Sequence, residues 1–239
     1  MKNSNKWVLA AVLLLLGSLT AFNMSLRAEY RTGNYKDPLH NFAALNFKNF
    51  TSVSVPAATA LSVKIVRGPF GVRVNKDVAA EVRVAQRGGQ LVVTASFTGQ
   101  RQYRGQREML IISCPRLDSL TTDAVYQLDG KPQTDKNGTM GRVAVEDFVQ
   151  DSLVLRQHRT SRVALAGNTL RYLRAEVGSG PGGAALDLNG SNHIAAADLD
   201  VRRHGELAIS NLVIPSLRYH FADSAQATLA GTAVSQLVR

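Results

Sequence analysis

The side chains in this sequence that could do chemistry are first of all carboxylates. Cleavage of a polysaccharide needs an acid and a base on opposite sides of a cleft. Asp198 and Asp200 are the best such pair, because residues two apart in a strand share a face. Glu146, Asp147 and Asp151 form a second acidic group. Nothing else marks either group as catalytic, so we interpret them as solvated acids and keep a polysaccharide lyase or glycoside hydrolase as the alternative function.

Other motifs have the residue types of known sites but lack their context. The segment Gly178–Gly183 matches G-x-G-x-x-G, yet the following AALDLNG alternates like a strand and not like the helix that a dinucleotide requires. Cys114 lies in the apolar run MLIISCP, which predicts a buried thiol. The five histidines have no metal-ligand spacing. The sequence therefore predicts a turn at the glycines, no metal and no cofactor.

The basic residues point to a class of partner. The chain has 28 Lys and Arg against 18 Asp and Glu, a formal net charge of +10. The interval between Asp151 and Glu176 contains no acid and holds five arginines: Arg156, Arg159, Arg162, Arg171 and Arg174. We predict that they form a basic surface that binds an anionic glycan, an anionic lipid surface or another envelope protein.

An N-terminal apolar stretch determines the compartment. Lys2 and Lys6 precede the uncharged residues 7–26, which are long enough to cross a bilayer once as a helix. A cleaved signal peptide is the alternative, but cutting after Ala21 places Leu19 where a small residue is wanted. We therefore predict a single membrane anchor with the rest of the chain exported to the cell envelope, where nucleic acid is not a partner.

The predicted boundaries are residues 1–27 for the signal anchor or signal peptide, 28–44 for a juxtamembrane linker and 45–239 for the folded domain. In that domain apolar residues alternate in TSVSV, SVKIV, GVRVN and EVRVA, which predicts half-buried strands. Gly88 and Gly89 predict a hairpin turn. The polar residues 131–141 predict a protruding loop.

A weak repeat runs through the C-terminal half of the sequence. Leu165, Leu188, Ile209 and Leu229 each precede a small or turn-forming residue, at spacings of 23, 21 and 20. A repeat of this length without helices is typical of stacked short strands joined by tight corners. We predict an all-β fold, a right-handed parallel β-helix (β-solenoid) after one N-terminal hydrophobic helix, with a β-sandwich as the alternative.

The run from Phe47 to Phe97 resembles the opening of the auto-transporter adhesin head GIN domain family. The resemblance lies in F-x-x-V at Phe50, V-x-I-x-x-G at Val63 and a Gly-Gly-x-L-x-V hairpin that ends in LVVTASF. It implies an exported β-helix protein of the bacterial envelope with no catalytic residues to carry over. The expected function is a non-catalytic, adhesin-like envelope module.

The anchor prediction is tested by cell fractionation and N-terminal sequencing of the mature protein. We expect the full-length chain in the membrane fraction, because residues 7–26 match the thickness of a bilayer and lack a small-residue cleavage site. Recovery in the soluble cytosol, or a mature protein that begins near Phe22, would contradict the anchor.

Overall fold

The structure, a computed structural model, describes residues 3–33, 36–99, 108–136, 141–222 and 224–238. The chain divides into two units, residues 1–42 and 43–239.

The first unit contains the predicted N-terminal helix, α1 (Asn3–Thr32). Its Leu and Ala residues are strong helix formers, and it contains no proline. The part Asn5–Arg31, with a mean hydropathy of 2.0 in its most apolar window, is long enough to cross a bilayer. Its large apolar side chains, such as Trp7 and Leu14, are exposed. These features fit a signal or an anchor.

The second unit is built from short strands whose apolar residues alternate, as the sequence predicts. In TSVSV, for example, Val53 and Val55 are buried while Ser52 and Ser54 are only half-buried. The strands are β1 Phe42–Leu45, β2 Ser52–Val55, β3 Val63–Arg67, β4 Gly71–Asn75, β5 Val82–Arg87, β6 Gln90–Phe97, β7 Leu110–Cys114, β8 Ser119–Thr122, β9 Val125–Leu128, β10 Lys131–Thr134, β11 Val143–Glu146, β12 Val149–Gln157, β13 Arg162–Ala166, β14 Thr169–Val177, β15 Ala185–Asn189, β16 His193–Val201, β17 Glu206–Ser210, β18 Ser216–Phe221 and β19 Gln226–Ala230. Two 3-10 helices lie at Lys76–Val78 and Gly231–Val238.

These strands form two large sheets. The first sheet has nine strands in the order β1-β4-β7-β3-β11-β13-β15-β17-β19. The second sheet has ten strands: nine in the order β10-β9-β6-β2-β8-β12-β14-β16-β18, and β5, which pairs with β6 outside this order. From β11 onward successive strands belong to alternate sheets, and from β13 onward each pairs in parallel with the strand two places earlier. The inward residues of both sheets belong to one hydrophobic core.

The predicted right-handed parallel β-helix is wrong, and the alternative, a β-sandwich, fits better. Both sheets are mixed, because β4, β5 and β10 pair antiparallel with their neighbours. Each sheet is open, with an edge strand at either end of its order. The physical reason is the length of the repeat: about 20 residues supply two strands and two corners, which is one strand for each of two facing sheets.

The predicted row of inward aliphatic residues is confirmed. Leu165 lies beside Leu188, Leu188 beside Ile209 and Ile209 beside Leu229 in successive strands of the first sheet. The same row begins earlier, because Val145 lies beside Leu165. Val145, Leu165, Leu188 and Ile209 are buried, and Leu229, in the edge strand, is half-buried. The repeat therefore reflects one core position repeated in each strand of this sheet.

Two buried asparagines tie together the corners that lead from the first sheet to the second. The Asn168 amide oxygen accepts a hydrogen bond from Phe148 N at 3.0 Å, and its nitrogen donates to Val145 O at 2.9 Å. The same nitrogen donates to the Asn192 amide oxygen at 3.0 Å, and Asn192 in turn donates to Leu165 O at 2.7 Å. These bonds satisfy buried backbone groups where the strand ladders end. Each corner is thereby bonded to the preceding one.

The turn predictions have mixed outcomes. The hairpin at Gly88 and Gly89 is confirmed, with Gly88 in the left-handed region and Arg87 paired with Gln90. The predicted loop 131–141 is wrong over Lys131–Thr134, which forms the exposed edge strand β10 against β9. The part 137–140 of that loop lies outside the described residues.

We expect Leu188→Ala to lower the free energy of unfolding by about 2–5 kcal/mol, because the leucine is fully buried in the central row and its removal leaves a cavity. Leu229→Ala, at the half-buried end of the same row, is the matched control and should cost clearly less. Urea denaturation of the full chain in detergent measures both. Equal losses would contradict the core row.

Candidate binding surfaces

Two of the five predicted site arginines lie together on the second sheet. Arg156 in β12 and Arg174 in β14 are exposed, while the residues on either side of each are buried or half-buried, so both point away from the core. Arg174 lies beside Val154 in the register of these strands, which makes it a diagonal neighbour of Arg156. This outward-facing side of β12, β14, β16 and β18 is called the outer face below.

The other three predicted arginines lie elsewhere, and each has an acidic partner. Arg159 follows β12 and its Nη1 is 2.8 Å from Asp123 Oδ2. Arg162 is in the first sheet, with Nη1 3.6 Å from Asp187 Oδ2. Arg171, at the start of β14, has Nη1 3.4 Å from Asp151 Oδ1. The structure thus brings Arg156 and Arg174 together and separates Arg159, Arg162 and Arg171 from them.

Acids and bases are interleaved on the outer face. One row across β14, β16 and β18 reads Arg174, Asp198 and Arg218, and the next reads Glu176, Asp200 and His220, with Arg156 beside Glu176. Parallel register places each residue next to the corresponding residue of the following strand. The outer face therefore alternates in charge and is not uniformly basic.

Arg202, which was not singled out in the sequence, anchors the acidic part of this face. Its Nη1 is 2.9 Å from Glu176 Oε1, and its Nη2 is 2.5 Å from Asp200 Oδ2. His220 Nδ1 lies 3.2 Å from the other oxygen of Asp200. The hydrogen bond from Arg202, followed by that from His220, lowers the pKa of the Asp200 carboxyl, and the bond to Asp200 raises the pKa of Arg202.

The predicted carboxylate pair does share a face, but its environment does not suit acid–base chemistry. A general acid at neutral pH needs a raised carboxyl pKa, whereas the pKa of Asp200 is lowered. Asp198 Oδ2 accepts a hydrogen bond from the Tyr172 hydroxyl at 3.4 Å. Both acids are therefore better explained as members of the charge network on the outer face.

A groove of about 750 Å³ lies over the first residues of β12, β14 and β16. It lies where the alternation of β14 changes at Arg171, because Leu170 and Leu173, three residues apart, are both buried. The apolar part of its lining comes from seven residues: Val149, Leu170, Ile194, Ala195, Leu212, Val213 and Pro215. Val149 and Val213 are 54% and 46% exposed.

Three ionisable side chains also line this groove: Asp151, Arg171 and His193. The side chains of Asp151 and Arg171 are 82% and 83% exposed. Among the described lining residues Asp151 is the one carboxylate, so two acids across a cleft, as polysaccharide cleavage requires, are not assembled there. The groove instead combines an apolar floor with an accessible guanidinium.

The remaining motifs are structural. Cys114 is fully buried, as predicted, and burial raises the pKa of its thiol to about 12. The glycine-rich segment connects strand β14 to strand β15, as predicted, and Gly178 and Gly182 have positive φ. Within the described ranges, no group of three His, Cys, Asp or Glu side chains is placed to hold a metal ion.

The sequence matches no protein-family model and no curated protein, whereas the structure is similar to several solved ones. A protein from Bacteroides fragilis described as a putative adhesin has 9% identity and a TM-score of 0.45, over 79% of this chain and 92% of that one. Two proteins from Parabacteroides distasonis, described as a putative adhesin and a putative lipid binding protein, have 10% identity, with TM-scores of 0.35 and 0.28. Each covers 80% of this chain and 94% of its own. The likeness is too distant to assign a family, so the head GIN resemblance stays a prediction.

The charge network around Asp200 predicts that this residue makes a pH-dependent contribution to the stability of the protein. Because its pKa is lowered on folding, ionised Asp200 stabilises the fold above its unfolded pKa of about 4, and this contribution is lost as the pH falls through the lower folded value. Asp200→Asn should therefore destabilise the protein at pH 7 by up to about 1 kcal/mol, since the pair is partly exposed. The difference from the unchanged protein should shrink below pH 4 in thermal unfolding scans.

Asp151→Asn is the matched control for that measurement, because the Asp151–Arg171 pair is almost fully exposed and longer. An equal effect of both substitutions at pH 7, or an Asp200→Asn effect that grows toward acid pH, would contradict this account.

Proposed function

We propose that this protein is an exported, membrane-tethered, non-catalytic envelope module of adhesin-like type, and that its groove binds anionic amphiphilic envelope material such as an acidic lipid. The observation that carries the proposal is the groove, where exposed aliphatic side chains lie beside Arg171.

The apolar part of the groove supplies affinity for a hydrocarbon group. Val149 and Val213 expose about half of their surface in the free protein. Covering such surface gains roughly 25 cal/mol for each Å² of apolar area removed from water. A ligand with an acyl chain can cover both valines at once, which a fully hydrated polysaccharide cannot do.

Arg171 supplies selectivity for a negative charge. Its contact with Asp151 is 3.4 Å long and highly exposed, and such surface pairs contribute little free energy. A phosphate or carboxylate can therefore replace the Asp151 carboxylate and receive two hydrogen bonds from the guanidinium. Arg156 and Arg174, predicted from the sequence as binding residues, would add longer-range attraction from the outer face.

Helix α1 and the signal-like N-terminus support the tether. A single apolar helix after a basic start fits a signal anchor, and this signal-like layout supports a strand domain outside the cytoplasm. An anchored domain of this kind meets lipid headgroups and acidic envelope glycans. Such a location supports binding of anionic surface material by a basic protein.

The full chain in phosphatidylcholine nanodiscs, held on a sensor surface, tests the proposal. We expect vesicles of phosphatidylcholine with phosphatidylglycerol to bind more strongly than phosphatidylcholine vesicles, and added salt to weaken the binding. Arg171→Ser should weaken it on the order of tenfold, because it removes a charge-assisted hydrogen-bond donor. Val213→Asn should weaken it as well.

Arg174→Ser is the matched control, since it removes the same charge from the same strand but outside the groove. A smaller loss than for Arg171→Ser supports the groove. Equal losses of vesicle binding in Arg171→Ser and Arg174→Ser would contradict it. Vesicle binding that is unchanged both in Arg171→Ser and in a variant with Arg156, Arg159 and Arg162 changed together to Ser would also contradict it. Soluble alginate as a second probe separates the sources: alginate binding as strong as vesicle binding would show that charge alone is recognised.

A further inference from the structure

The second sheet ends in a strand whose inward side is only partly covered: Leu217 and Phe221 are half-buried against the core, and Tyr219 is exposed. β18 is the last strand in the order of this sheet. Its residues Leu217, Tyr219 and Phe221 lie beside Ala197, Leu199 and Val201 of β16, all of which are buried. Tyr219 is nevertheless 60% exposed, and its ring lies 5.4 Å from that of Phe221. The core of the sandwich thus reaches the surface at this edge as an aromatic row.

The other side of β18 carries basic residues. Arg218 follows Arg174 and Asp198 in its row, so the charges across the outer face read positive, negative, positive. Arg218 forms no ion pair with the described residues. A further strand that continued the alternation would place an acid beside Arg218, since opposite charges on neighbouring strands stabilise a sheet.

The backbone of β18 is unprotected compared with the opposite edge of the same sheet. That edge, β10, contains Pro132, which has no backbone N–H to donate and so keeps other chains from pairing there. β18 spans Ser216–Phe221 without a proline. The 3-10 helix Gly231–Val238 packs mainly on β17 and β19, at the end of the first sheet.

We propose that β18 is an acceptor for one extended segment of a partner polypeptide in which apolar and acidic residues alternate. The apolar residues of that segment would cover Leu217, Tyr219 and Phe221, and its acids would lie beside Arg218 and His220. Its backbone would extend the second sheet by one strand, the mode in which edge strands capture peptides. None of these five residues lines the groove, and the proposal does not depend on the groove's ligand.

A peptide with the sequence of β16, HIAAADLDV, is a suitable probe because the side chains of β16 already match β18 in the structure. In that register Asp198 lies beside Arg218 and Leu199 beside Tyr219. Fluorescence anisotropy of the labelled peptide with the full chain in phosphatidylcholine nanodiscs measures binding. We expect it to bind about tenfold more tightly than the same peptide with both Asp replaced by Lys.

Charge reversal in the protein gives the sharpest result. Arg218→Glu should invert the preference, so that the lysine peptide binds more tightly than the acidic one. Tyr219→Asp should abolish binding of both, because a carboxylate then stands where the apolar row must be covered. Thr228→Asp, an exposed position in the edge strand of the first sheet, is the matched control and should leave binding unchanged.

N-methylation of alternate peptide amides tests strand addition itself. In an added strand only every second N–H faces the edge, so one of the two alternating patterns should block binding and the other should not. Equal binding of both patterns, an unchanged preference in Arg218→Glu, or peptide-free self-association of the chain through Tyr219 would overturn the proposal. None of these outcomes bears on Arg171 or on vesicle binding.

Discussion

The C-terminal half of the domain depends on one constraint: each strand must lie directly beside the strand that precedes it in the same sheet, 20 to 24 residues earlier. Two contacts enforce this register. The aliphatic row through Leu165, Leu188 and Ile209 fills the core at one repeated position, and buried Asn168 and Asn192 bond corner to corner. A shift by one residue would turn every apolar side chain outward and leave the amides unpaired. The register therefore specifies both sheets at once.

Both candidate binding regions follow from this register. The groove lies where β12 and β14 change their alternation at matching positions, and the first residues of both strands line it together. The aromatic edge exists because the second sheet stops after β18 while its inward row still carries core residues. Neither feature belongs to a single segment of sequence. Each consists of side chains from different strands that the distance of 20 to 24 residues between paired strands brings side by side.

How much of this could be predicted from sequence differs between the fold and the surface. Alternation at Val53 and Val55, and the spacing from Leu165 to Leu188, report local geometry and core position, and both predictions are correct. The spacing of a repeat does not show how its strands are divided between sheets, and the β-helix prediction is therefore wrong. Lys131–Thr134 has polar side chains and a proline, and becomes a strand only through its pairing with β9.

Arg159 and Arg171 lie in an interval without acids, but the fold brings Arg159 an aspartate from 36 residues away and Arg171 an aspartate from 20 residues away. Charge along the chain is therefore a poor guide to charge in space.

The distance of 20 to 24 residues between paired strands, which both sheets share, also determines which changes in chain length the domain can accept. An insertion of about 20 to 24 residues that repeats the core and corner positions would add one strand to each sheet and leave every existing pair in register. A shorter insertion within a strand would displace all later side chains from their rows, because side chains alternate with a period of two. Lengthening by whole strand pairs would move the edge at β18 outward by about 5 Å for each added strand and leave the groove unaltered. The length of the strand domain would thus change in regular increments while the residues of the groove stayed the same.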